Sequence, residues 1–192
     1  MTPGRHFRVW VERASGNVPF SAGPGDGEAL AAWFAAGLPA AVRRTDGPCR
    51  AGGLAAGVLL PPPGKGRGRP VACLIEARAA RRVEPPMGLA EAAACAGGRW
   101  RAALKALVGI GDRWGGFGVY GSHMWQAASG RRYVRDDSDI DLWIPVRRRG
   151  APGAIGAALC DWERETGLNA DGEFVLPGGA ADRKSTRLNS SH

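Results

Sequence analysis

Apolar residues recur at helical spacing in several stretches of the chain. Trp100, Leu104, Leu107, Val108 and Gly111 share one face while Arg101 and Lys105 point elsewhere, which predicts an amphipathic helix over 99–112. Ile155, Leu159 and Trp162 predict a second over 152–166, with Pro152 near its start and Gly167 past its end. A third covers 28–36, EALAAWFAA, closed by Gly37. Strand patterns are shorter. FRVWV (7–11), the start of AAVRR near 40, FGVY (117–120), DIDLWI (139–144) and GEFVL (172–176) each read as a strand. GLAAGVLL and PVACLIEA, separated by a Pro, Gly and basic turn, predict an antiparallel hairpin. Residues 16–27 read as a loop.

The pattern breaks at RRVEPPMG (81–88), where two prolines forbid helix. That break predicts an N-terminal α/β domain over 1–86 and a second domain over 87–179. The fold class is α+β. Residues 180–192 are set aside, because DRKSTRLNSSH (182–192) is polar and unlike the Ala-, Gly- and Arg-rich body, and reads as non-native sequence.

Composition narrows the class. A hydrophobic fraction of 44% over 192 residues gives material for a real core. No run reaches the roughly 18 apolar residues of a membrane helix, and the start lacks a secretory signal pattern, so no membrane partner and a cytoplasmic location are expected. Cys49, Cys73, Cys95 and Cys160 form no CxxC pair and read as buried thiols rather than a zinc site. The net charge of +8 suits anionic partners, although arginine excess is also what a GC-rich genome writes into any protein.

Two motif matches fail on context. GFGVYG (116–121) has the letters of a dinucleotide fingerprint, but a helix precedes it and its strand residues fall between the second and third glycines. GKGRG (64–68) lacks the span and hydroxyl residue of a P-loop. Gly-Ser-His-Met (121–124) has the letters of a tag-cleavage scar, yet more than a hundred patterned residues stand in front of it.

Gly121-Ser122, Ser138-Asp139-Ile140-Asp141 and Asp171-Gly172-Glu173 carry the candidate chemistry. On a strand, Asp139 and Asp141 face the same way with Cα atoms roughly 6–7 Å apart. Two such carboxylates repel unless a cation lies between them, and hard oxygen ligands favour Mg²⁺ or Mn²⁺. After a short strand, Gly121 permits a tight turn, and the following helix presents amide hydrogens to a phosphate, with the Ser122 hydroxyl beside them. Asp171 or Glu173 supplies a third carboxylate, for the metal or for proton acceptance. This is equipment for phosphoryl or nucleotidyl transfer. Trp125 reads as core and His123 as an exposed helix-start residue. Gln126 either contacts substrate or caps local backbone, and Arg131, Arg132 and Arg135 either bind phosphate or form a solvated loop.

Glycine-serine at a strand-helix turn, Asp-x-Asp on the next strand and a later acidic residue resemble the signature of the nucleotidyltransferase superfamily typified by DNA polymerase beta. The segment YGSHMWQAASGRRYVRDDSDIDLW (120–143) is similar to phosphoribosyl-dephospho-CoA transferase, the holo-acyl-carrier-protein synthase of malonate decarboxylase. The matching positions are Gly121, Ser122, Trp125, Gln126, Gly130, Tyr133, Ser138, Asp139, Asp141 and Leu142. RHFRVWV, the VRR that includes Arg43 and Arg44, and EPP at 84–86 extend the resemblance over most of residues 5–179; Ser129 stands where that family more usually has threonine.

The resemblance implies a polymerase-beta-like second domain, a mixed sheet with helices, that is truncated at its C-terminus. It implies transfer of a 5'-phosphoribosyl-dephospho-CoA unit from its triphosphate precursor to a serine of the apo acyl-carrier subunit of malonate decarboxylase, with release of pyrophosphate. Asp139 and Asp141 would carry Mg²⁺ or Mn²⁺. Gly121, Ser122, Gln126 and Ser138 would bind the triphosphoribosyl-dephospho-CoA, and Asp171 or Glu173 would take the third acidic role. Nucleic acid is not an expected partner. The rival expectations are another metal-dependent nucleotidyltransferase with a small-molecule, nucleic-acid or protein hydroxyl acceptor, and a non-catalytic basic nucleic-acid-binding module.

Overall fold

The computed structural model describes residues 4–12, 20–43, 52–61, 66–148, 150–176 and 181–182. They form two compact units, Met1–Pro86 and Met87–His192. Among the described residues no helix is long and apolar enough to cross a membrane.

Among its described residues the first unit is a six-stranded antiparallel sheet with one α-helix. Its strands are β1 (Arg8–Val11), β2 (Phe20–Ala22), β3 (Ala40–Val42), β4 (Gly53–Leu60), β5 (Arg69–Glu76) and β6 (Ala80–Glu84), in the order β2-β5-β4-β3-β1-β6. The expected hairpin is β4 with β5, paired from Gly53↔Glu76 to Leu60↔Arg69. Helix α1 (Gly27–Ala35) buries Leu30, Trp33 and Phe34, and Gly37 follows its end with φ +74°. The Trp33 indole donates to the Pro39 carbonyl at 2.9 Å, which fixes the exit from the helix. Two strands depart from the sequence reading: β2 begins inside the expected loop and β6 runs into the proline break. β6 is an edge strand whose Arg81 and Arg82 are exposed, so it carries no apolar run for the pattern to reveal. Arg82 stacks over Trp10 on β1, 3.6 Å from the ring centroid.

Among its described residues the second unit is a mixed sheet with four helices. Its strands are β7 (Met87–Gly88), β8 (Gly118–Val119), β9 (Ile140–Pro145), β10 (Ala170–Val175) and β11 (Ala181–Asp182), in the order β11-β10-β9-β8-β7. Among the described strands only β9 and β10 are parallel, and helix α5 (Ala151–Thr166) makes the crossover that a parallel pair requires. The other helices are α2 (Leu89–Cys95), α3 (Gly98–Asp112) and α4 (Gly121–Ser129). Alternation along β9 sends Ile140, Leu142 and Ile144 into the core, all fully buried, and leaves Asp141 and Trp143 on the other face. Leu104 and Leu107 of α3 and Ile155, Leu159 and Trp162 of α5 are buried, as their spacing predicts. The Trp162 indole donates to the Ala103 carbonyl, tying α5 to α3. Helix α2, seven residues that are mostly alanine, has no periodic stripe and escapes the sequence pattern. The segment set aside from residue 180 contains β11, where Ala181 and Asp182 pair with Val175 and Phe174; residues 183–192 lie outside the described residues.

The cysteines divide. Cys73 is buried, and burial pushes its thiol up to about 11. Cys160 is half-buried and Cys95 is exposed at the end of α2, which corrects the expectation of a buried thiol there. Cys49 lies outside the described residues.

Candidate active site

Helix α4 starts directly after the two-residue strand β8, and the turn leans on β9. The Tyr120 N–H donates to the Asp141 carbonyl at 3.0 Å. Gly121 opens the helix with φ +63°, and a Cβ built there would overlap the Asp141 carboxylate. Glycine is therefore required twice, by the left-handed backbone and by the side chain occupying that space. Among the described residues no side chain caps the α4 N-terminus, so its first amide hydrogens keep the capacity to bind an anion. The Ser122 hydroxyl makes no hydrogen bond with the described residues.

The carboxylates gather from two strands. Asp139 is exposed and immediately precedes β9, two residues from the half-buried Asp141. Asp171 on β10 is in register with Asp141, and residues in register on neighbouring strands share a face. Burial, then the charge of Asp171, then that of Asp139, pushes the Asp141 carboxyl up to about 7 from 3.8. Glu173 pairs in register with Trp143 and is buried, one step further along the same face. Among the described residues no group of three His, Cys, Asp or Glu side chains is arranged to hold a metal ion by itself.

Asn169 belongs to this end of the sheet and was missed in the sequence. Its Nδ2 donates to Asp139 Oδ1 at 3.2 Å, and its carbonyl accepts the Ile140 N–H at 2.9 Å. The only signal was its position two residues before Asp171, at the mouth of an incoming strand.

The loop between α4 and β9 is held from within. Gln126 Oε1 accepts the N–H groups of Tyr133 and Val134 at 3.1 and 2.9 Å. Ser138 Oγ accepts the Arg135 N–H at 2.9 Å. Both side chains thus shape the approach to Asp139, and Gln126 takes the backbone-capping course of the two left open by its sequence. The Arg135 guanidinium pairs with Asp137 in the same loop, at 2.9 and 2.6 Å. Trp125 is buried, as expected of a core residue.

His123 is a correction. It is 4% exposed, not a surface residue, and lies edge-on to Trp100 with ring centroids 4.9 Å apart. Its Nε2 has no hydrogen-bond partner among the described residues, and burial pushes the imidazole down to about 4. The polar letter hid an aromatic core position on the inner side of α4.

A glycine-opened helix facing carboxylates on a mixed sheet is compatible with several phosphate chemistries, and comparison with known proteins narrows the class. The model of the phosphoribosyl-dephospho-CoA transferase MdcG C-terminal domain matches residues 88–182, and that of the MdcG N-terminal domain matches residues 4–86. A phosphoribosyl-dephospho-CoA transferase of Xanthomonas campestris pv. campestris is 38% identical over 184 residues, 93% of this chain and 82% of the relative. Others from Xanthomonas euvesicatoria pv. vesicatoria and Bradyrhizobium diazoefficiens are 36% and 33% identical, covering 91% and 93% of this chain and 80% and 79% of their own lengths. No solved structure matches the chain. The protein is thus an enzyme of the transferase class. The chain belongs to the phosphoribosyl-dephospho-CoA transferase family.

Proposed function

We propose that this chain moves the 5'-phosphoribosyl-dephospho-CoA group from its triphosphate precursor to a serine of the apo acyl-carrier subunit of malonate decarboxylase, with release of pyrophosphate. The observation that supports this reading best is the meeting of Asp139, Asp141 and Asp171 beside the Gly121 turn. Those carboxylates fit Mg²⁺ or Mn²⁺: all are hard oxygen donors, and burial, reinforced by the charges of Asp171 and Asp139, pushes the Asp141 carboxyl up to about 7. Magnesium commonly takes one or two protein carboxylates and completes its shell with water and substrate phosphates, so Asp139 and Asp141 suffice as its protein ligands. Once bound, the cation supplies charge neutralisation at the phosphates and lowers the pKa of the attacking hydroxyl.

The chain's own groups do the rest. The α4 amides and the Ser122 hydroxyl hold the triphosphate, and Gly121 lets the backbone approach it. The carrier serine Oγ forms a bond to the α-phosphorus while the bond to the departing pyrophosphate breaks. Asp171 receives the serine proton. We assign it this role over Glu173 because Asp171 acts directly on Asp141, whereas Glu173 is buried a residue pair further along. Asn169 orients Asp139, and Gln126 and Ser138 hold the loop that delivers it. The positive charge of the chain suits an anionic donor and an acidic carrier, and this reading places the reaction in the cytoplasm.

The test is pyrophosphate release from triphosphoribosyl-dephospho-CoA with Mg²⁺ and apo carrier. Release is expected to require the carrier's acceptor serine and to stop with EDTA. Release that continues when that serine is replaced by alanine would transfer the reading to a different acceptor.

A further inference from the structure

The second unit carries another concave site at the opposite end of β9 from the carboxylates. A cavity of about 250 Å³ is lined by Arg113 and Trp114 after α3, Pro145 at the end of β9, Arg147 and Arg148, and Ala151 at the start of α5, with Asp112 the one acidic residue at its wall. Pro145 stands four residues from Asp141 along an extended strand, about 13 Å away. The three guanidiniums are exposed, and none makes an ion pair or side-chain hydrogen bond with the described residues. Elsewhere in the same unit arginines do find carboxylates, as Arg135 does with Asp137 and Arg164 with Asp161.

The backbone holds this arrangement in place. Gly115 has φ +90°, and a Cβ there would come within 3.0 Å of the Arg147 Nε, so the side chain of Arg147 lies across a turn that only glycine accommodates. Trp114 forms part of the wall, and its indole N–H is buried without an acceptor among the described residues. The cavity also borders the first turn of α5, whose N-terminus has no side-chain cap.

We propose that this cavity binds a diphosphate group. Three guanidiniums without an ion-pair partner among the described residues surround a space of this size, and their planar N–H forks match the paired oxygens of linked phosphates in bidentate fashion. Two sources supply that chemistry: the diphosphate bridge of a dephospho-CoA ligand, and free pyrophosphate. The pocket deepens the proposed function and rests on it only for the identity of the donor.

The test is isothermal titration of the full chain in EDTA, with inorganic pyrophosphate and with dephospho-CoA. Without a cation the Asp139, Asp141 and Asp171 cluster repels both anions, so the binding that remains reports the arginine cavity. Wild type is expected to bind both anions. The triple variant Arg113→Gln, Arg147→Gln, Arg148→Gln is expected to bind about tenfold or more weakly. All three side chains are exposed, so circular dichroism should match wild type, and Arg147→Lys should bind between the two. Tighter binding of dephospho-CoA than of pyrophosphate identifies the bridge as the occupant, and the reverse order identifies the free anion. A triple variant that binds as tightly as wild type, or no binding of either anion, overturns the proposal. Neither result alters the carrier-dependent reaction in Mg²⁺, which is measured separately.

Discussion

Gly121 and Asp141 compete for one volume: the Asp141 carboxylate stands where residue 121 would carry a Cβ. The turn that presents α4 and the strand that presents the carboxylate are therefore built against each other. Gly121→Ala must both move the carboxylate and strain a backbone at φ +63°. The expected cost is about 2–4 kcal/mol of stability by urea unfolding, with transfer activity lost. A variant with wild-type stability and rate would contradict the packing.

The proton balance of the site gives a second prediction. In metal-free protein the folded chain keeps the Asp141 proton to about pH 7, whereas the unfolded carboxyl loses it near 3.8. The folded state thus binds more protons between those limits, and stability falls as pH rises through them. His123 works the other way. Its folded imidazole titrates near 4 and its unfolded one near 6.5, so its contribution is present above 6.5 and is lost as pH falls. Asp141→Asn should therefore be more stable than wild type at pH 8 by about 1–2 kcal/mol, with the difference vanishing near pH 4. Equal stability at pH 8 would contradict the buried, crowded carboxylate.

Cation binding should follow the same residues. Mg²⁺ or Mn²⁺ is expected to raise the melting temperature of wild type at pH 8, because a ligand that binds only the folded state stabilises it. The shift should disappear in Asp141→Asn and persist in Glu173→Gln, provided the latter folds. Loss of the shift in a folded Glu173→Gln would instead make Glu173 a ligand of the cation.

Gln126 accepts two backbone N–H groups of the loop that leads to Asp139. Gln126→Ala leaves both donors without that partner and should cost about 1–3 kcal/mol. Hydrogen exchange at Tyr133 and Val134 should accelerate, and transfer should slow. Unchanged exchange at both amides would remove the clamp from the account.

His123→Phe keeps the edge-on contact with Trp100 and removes an orphaned nitrogen. It should fold and keep transfer activity within about threefold of wild type, since the proposed chemistry uses no imidazole. A loss of on the order of 100-fold in a stably folded variant would make His123 part of the mechanism.

Legibility in the sequence tracked how strongly one physical pattern dominated each stretch. The faces of α3 and α5 and the pairing of β4 with β5 stood out because burial alone selected their apolar positions. Gly121-Ser122 and Asp139-x-Asp141 stood out because repulsion between carboxylates and the need for a bare turn are costly without a purpose. β6 was hidden because an edge strand exposes arginines, and α2 because a short alanine helix has no stripe. His123 was misread because a titratable letter does not declare whether it faces solvent. Asn169 acts through one hydrogen bond to Asp139 across 30 positions of sequence, a contact that exists only once β9 and β10 lie side by side.

The most direct measurement is the mass of the apo acyl-carrier subunit after incubation with Mg²⁺, triphosphoribosyl-dephospho-CoA and either the wild-type chain or Asp141→Asn. A gain equal to one phosphoribosyl-dephospho-CoA group is expected with wild type, and a rate at least about 100-fold lower with the variant. An unmodified carrier after incubation with folded wild-type protein, or equal gain with both proteins, would contradict the proposed function.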